Sequence, residues 1–167
     1  MSEAGVVAAV MAAAKGLLRL EGTAEDGVLI RLATAAIEAG EAYCGQRFVA
    51  RDVTGAVTGT GAWQSLAERP VAAIADVAAT GGGALAVDAY AIDVADGIGR
   101  VRLPAGVRAL VTYRAGLAER WTALPAPIAH GVVLLAVHWF ENRGADAAPP
   151  AAVMALWRPY RRVGIGA

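Results

Sequence analysis

A chain of 167 residues is long enough for one domain with an ample core and short for a two-domain enzyme. Hydrophobic residues make up 57% and charged residues 18%, with a formal net charge of zero. That balance excludes a disordered chain and gives no global attraction to nucleic acid or to an anionic membrane. Alanine supplies 41 residues and 14 arginines stand against one lysine, a bias of base composition rather than of function.

The charge is uneven along the chain: residues 1–99 carry 12 acidic and 6 basic side chains, residues 100–167 carry 3 and 9. Either neighbouring copies meet head to tail, or the halves interleave in the fold and cancel. The lone Cys44 excludes an intramolecular disulfide and a thiolate zinc cluster. Residues 4–14 are apolar but follow Glu3 without a basic flank, so they do not read as a signal peptide. The run 128–140 contains His130 and His138 and falls well short of the ~20 apolar residues that span a bilayer. No membrane partner is expected.

In chain order, residues 4–20 read as a first helix. Thr23 and Asp26 resemble a capping box for a second over 24–44. There Leu29, Leu32, Ala33, Ala36, Ile37, Gly40, Tyr43 and Cys44 recur at three- and four-residue steps, and Gly45 is the stop. From about 47 to 115 the period changes to that of antiparallel strands. Val107, Ala109, Val111 and Tyr113 alternate with Arg108, Leu110, Thr112 and Arg114, and Tyr90, Ile92 and Val94 lead through Asp96-Gly97, a hairpin turn, to Val101 and Leu103. Arg100 and Arg102 fall on the face away from the core. Residues 54–61 and Gly81-Gly82-Gly83 read as loops. After Pro125-Ala126-Pro127, residues 127–143 form a helix apolar nearly all round, ended by Gly144. A short last helix, 151–157, gives way at Pro159 to a tail, 158–167, expected to be flexible. The fold class is α+β: a mainly helical bundle with an antiparallel β-rich insertion between the second and third long helices, residues 1–157 forming a single domain.

No chemical constellation survives inspection. His130 and His138 stand about 12 Å apart along one helix, too far to share a metal. The glycine run lacks the Lys-Ser/Thr of a phosphate loop, and neither Ser2 nor Ser65 has a nucleophile-elbow setting. Catalytic, cofactor-binding and metal-ligating residues are therefore none. The remaining feature is the tail, where Arg158, Arg161 and Arg162 interleave with Trp157 and Tyr160, a composition suited to interfaces.

The order of these pieces resembles the head-tail connector (adaptor) proteins of tailed phages, a family with counterparts in gene transfer agents. The resemblance rests on several short runs: Lys15-Gly16-Leu17-Leu18-Arg19-Leu20, Glu25-Asp26, Ala42-Tyr43-Cys44-Gly45-Gln46-Arg47, Arg69-Pro70-Val71, Tyr90-Ala91-Ile92-Asp93, Val111-Thr112-Tyr113-Arg114-Ala115-Gly116 and Pro125-Ala126-Pro127-Ile128. To these it adds His138-Trp139-Phe140-Glu141-Asn142-Arg143 and Trp157-Arg158-Pro159-Tyr160-Arg161. It implies a non-enzymatic particle protein, assembled in the bacterial cytoplasm and carried in the neck as a ring of about twelve copies. The ring would dock under the portal protein, meet a stopper or tail-completion protein, and pass double-stranded DNA without reading its sequence. Trp157, Arg158, Tyr160, Arg161, Arg162 and Ile165 would contact the portal, and Arg100 and Arg102 a neighbouring subunit. The competing readings are another neck protein, a stopper or tail-completion factor, and a small cytosolic enzyme or ligand-binding domain.

Overall fold

The computed structural model describes residues 3–81, 83 and 85–162. Helices α1 (Glu3–Leu18) and α2 (Asp26–Cys44) are followed by strands β1 (Arg51–Thr58), β2 (Trp63–Ser65), β3 (Val71–Ala79), β4 (Ala91–Ala95), β5 (Ile98–Arg102) and β6 (Arg108–Ala115). Helices α3 (Ala126–Glu141) and α4 (Ala151–Trp157) complete the chain, with a 3-10 turn at Arg158–Tyr160. The chain divides into two compact units: residues up to 48 and from 118 onward hold all four helices, and residues 49–117 hold all six strands. No helix among the described residues is long and apolar enough to cross a membrane.

In the helical unit, the apolar stripe of α2 buries Leu29, Leu32, Ala33, Ala36, Gly40 and Cys44. It begins without the expected capping box: the N-cap is Glu25, no side chain caps it, and the Asp26 amide donates to the Thr23 carbonyl instead. The far end is firmly closed. Gly45 turns into the left-handed region at φ 65°, and the Gln46 amide reaches back to the Glu41 carbonyl, satisfying carbonyls that a helix end leaves bare. The buried carboxylate of Glu41 accepts from Arg47 Nη1 at 2.6 Å and from the Phe48 amide at 2.8 Å, which fixes the chain as it leaves the helix. Helix α3 does not end on Gly144 itself. Its left-handed residue is Arg143 at φ 58°, and the Gly144 amide bonds the Trp139 carbonyl.

Trp157 occupies the centre of this unit. A Cβ on Gly131 of α3 would lie 2.4 Å from its indole nitrogen, and one on Gly40 of α2 would lie 3.1 Å from Cζ2 of the same indole and 2.8 Å from the Phe48 ring. Two glycines on facing helices thus open the notch that holds the indole of α4, whose Nε1 donates to the Ile128 carbonyl at 3.3 Å. Cys44 Sγ stands 4.0 Å from the Trp157 carbonyl, and burial pushes its thiol up to about 11.

The β unit is a pair of three-stranded antiparallel sheets, ordered β1-β6-β3 and β2-β5-β4. In the first, Val53 faces Tyr113, Gly55 faces Val111 and Val57 faces Ala109 across β1 and β6. These pairs turn towards a core that includes Leu66, Val71, Val77, Val101 and Leu103. In the second sheet Asp96 (φ 53°) and Gly97 (φ 73°) make the tight reversal between β4 and β5.

Two expectations are corrected here. The molecule is not a mainly helical bundle: 42% of the described residues are helical and 25% lie in strands, and the strands form two sheets over a core of their own. Residues 54–58 are not loop but the second half of β1. Their outward side chains, Thr54, Ala56 and Thr58, are too small to advertise a strand, while Gly55 and Val57 alternate inward.

The notch makes two outcomes measurable. Gly131→Ala should lower stability by about 1–3 kcal/mol, because the indole has nowhere to retreat, and a melting temperature equal to the parent would refute the wedge. At pH 8 Cys44 should react with a thiol reagent at least about a hundredfold more slowly in the native chain than in denaturant, since only the thiolate attacks and the side chain is fully buried.

Candidate functional site

The residues expected at a portal contact separate into a buried base and an exposed end. Trp157, expected on the surface, is only 1% exposed, because the two-glycine notch draws the indole inside. Arg158, Arg161 and Arg162 are exposed. The segment they occupy is held along the C-terminal end of α2. Gln46 Nε2 donates to the Tyr160 carbonyl at 2.8 Å, the Arg162 amide donates to the Cys44 carbonyl at 2.8 Å, and the Arg161 guanidinium lies 5.5 Å from the centre of the Tyr43 ring. Residues 158–162 therefore have a defined course on the helical unit. Ile165 lies outside the described residues.

Arg100 and Arg102 stand together on the outward face of the second sheet. Register places Trp63 opposite Arg102 and Ser65 opposite Arg100. The Arg102 guanidinium lies 5.2 Å from the centre of the Trp63 ring, and Arg100 Nη1 lies 3.4 Å from Asp93 Oδ2. Trp63 is 45% exposed, an exposed aromatic that strand alternation around β5 alone did not single out. Its signal was its place directly after Gly61-Ala62, at the start of a three-residue edge strand.

A third feature was not anticipated. At one end of the helical unit, a cavity of about 670 Å³ is lined by Leu18 of α1, by Val28 and Leu32 of α2, and by Trp139 and Phe140 of α3. Charged side chains surround it: Glu25, Arg31, Glu141 and Arg143. Among the described residues none of these four has an ion-pair partner. Residues from three of the runs that carry the family resemblance, around Leu18, Glu25 and Trp139 to Arg143, thus converge here although more than a hundred positions separate them in sequence. Trp139 Nε1 donates to the Ala147 carbonyl at 2.7 Å, tying the link after α3 to the same region.

No group of three or more His, Cys, Asp or Glu could hold a metal among the described residues. His138 Nδ1 is 3.2 Å from Asn142 Nδ2, and His130 is exposed on the same helix. Nor does the charge asymmetry of the sequence survive folding. The helical unit contains nine acidic and nine basic residues and the β unit six of each, so the interleaving reading holds within each unit.

Arginine is a costly residue at a left-handed position, where an L side chain is disfavoured by about 1–2 kcal/mol. Arg143→Gly should therefore raise the melting temperature by roughly 2–4 °C. A fall would show that the Arg143 side chain supports the fold rather than the surface it lines.

No protein-family profile and no curated protein matches the chain. Solved structures do. The neck of an empty gene transfer agent particle computed with C6 symmetry contains a chain 28% identical with a TM-score of 0.76, the match covering 99% of this chain and 96% of that one. The virion of a native gene transfer agent particle gives 28% identity and a TM-score of 0.72 over 99% and 95%. The neck of a native particle computed with C12 symmetry gives 29% and 0.67 over 83% and 85%. At 28–29% identity and in fold this chain is similar to neck proteins of gene transfer agent particles, the kind of protein its head-tail connector motifs resemble, and that likeness supports a structural role in a particle neck.

Proposed function

We propose that copies of this chain form a ring in the particle neck, docked on the portal on one side and on a stopper or tail-completion protein on the other. The observation that carries this reading is the likeness, over 99% of the chain, to a neck structure. The C6 and C12 symmetries with which the related necks were computed support a ring of about twelve copies. Double-stranded DNA passes through the ring without sequence recognition. In keeping with that, neither unit carries a net charge that would grip the phosphate backbone along its whole surface.

The portal contact in this reading is made by the exposed side of the segment from Arg158 to Arg162, with Ile165 beyond it. Planar guanidinium groups beside Tyr160 suit carboxylates on a partner, where two parallel hydrogen bonds give direction as well as attraction. Because Trp157, Gln46 and Cys44 hold the base of the segment, the arginines are presented from a fixed platform rather than from a free coil.

Removing the chain from a particle-producing cell should leave DNA-filled heads and separate tails. Arg158→Glu should leave the melting curve nearly unchanged and cut the yield of joined particles by about tenfold or more, as expected for a reversed charge at a docking surface. Joined particles at parental yield would remove the segment from the portal contact, and joined particles in the deletion strain would refute the neck role itself.

A further inference from the structure

The three-helix cavity and the exposed indole of Trp63 are both unaccounted for by the portal contact. We propose that the cavity is a socket for Trp63 of a neighbouring copy of this chain, so that the β unit of one subunit plugs into the helical unit of the next. The inference rests on the ring reading above and specifies its subunit contact.

The socket has the form such an anchor requires. Leu18, Val28, Leu32, Trp139 and Phe140 give it an apolar lining, and 670 Å³ takes an indole with room for ordered water.

Among the other exposed large apolar side chains, Leu17 and Ile30 are aliphatic and belong to the helical unit that holds the socket. Ile92 and Val94 lie opposite Val101 and Gly99, on the other face of that sheet from Trp63, and carry no ring, and Leu110 lies in mid-sheet on β6. Among the described residues Trp63 alone combines an exposed aromatic ring with a place on a short edge strand.

Charge supports the same pairing. Trp63 is flanked by Arg102 and Arg100, and the socket rim offers Glu25 and Glu141. Asp93, beside Arg100, gives the rim arginines Arg31 and Arg143 a counterpart. Tryptophan and arginine in a desolvated pocket are the side chains that dominate interfaces. Plug and socket are different surfaces of one chain, so the contact is head to tail and can close only as a ring or continue as a filament.

The test uses intact particles made with the full chain carrying Cys44→Ala, Ala62→Cys and Arg31→Cys, the last two exposed beside plug and socket. After mild oxidation, denaturing gels should show a ladder of covalent multimers of this chain, absent when either new cysteine is omitted. Mass spectrometry of the same particles separates the two readings. If the chain is missing from them, the neck role fails and this inference with it. If it is present but no ladder forms, or if it crosslinks instead to another neck protein, the neck role stands and the plug-and-socket contact is overturned. In the otherwise unaltered chain, Trp63→Ala should leave the melting temperature unchanged and reduce joined particles about tenfold, with Trp63→Phe recovering most of the loss. Parental yield from Trp63→Ala would also overturn it.

Discussion

The fit of one indole between two glycines governs the helical unit. Trp157 belongs to a helix of seven residues, too short to persist alone, and holds its place because Gly40 and Gly131 leave room on α2 and α3. Three consequences follow from that contact. It joins α4 to both long helices, it buries Cys44 beneath the Trp157 carbonyl, and it fixes where the chain emerges, so that Tyr160 and Arg162 reach the backbone and side chains around Gly45. Packing in the core thereby decides what is shown on the surface, since the arginines after Trp157 inherit their direction from it.

Much of the helical unit was legible because burial on a helix imposes a period. The stripe from Leu29 to Cys44 is visible in the sequence, and the residues the structure buries on α2 fall on it, with Glu41 the exception. Glu41 was invisible because its partners, Arg47 and the Phe48 amide, are assembled only once the chain turns at Gly45. Trp157 was misread for a related reason. Its neighbours in sequence are arginines, whereas its neighbours in space are glycines that no local pattern connects to it. The weight of the β unit was underestimated because β1 and β3 are built mostly from Ala, Gly, Thr and Val, whose alternation is faint where the outward side chain is small. The socket could not be read at all, since it is made of three helix ends distant in sequence.

Charge teaches a different lesson. A split of six units between the two parts of the sequence looks like a device for head-to-tail assembly, yet the fold distributes it so that each unit is neutral. Long-range steering between copies is then weak at physiological ionic strength, where screening acts over about 8 Å. Orientation must come from short-range features: a guanidinium stacked on an indole, two carboxylates at the rim of an apolar hollow, two arginines held in the left-handed conformation at the ends of α1 and α3. Contacts of this kind form late and are sensitive to geometry, so neutral subunits can stay apart in solution and associate where a template presents them in register.

Helix α2 ties these features together. Its 19 residues make a rod of about 28 Å, with the socket around Val28, Arg31 and Leu32 near one end and the base of the arginine segment at Cys44 and Gln46 at the other. The proposed neighbour contact and the proposed portal contact are thus carried by opposite ends of one rigid element. A helix resists compression along its axis, so strain applied at one end is passed to the other rather than absorbed. On those two proposals, a subunit whose docking surfaces are separated by such a strut couples one contact to the other through the rod itself.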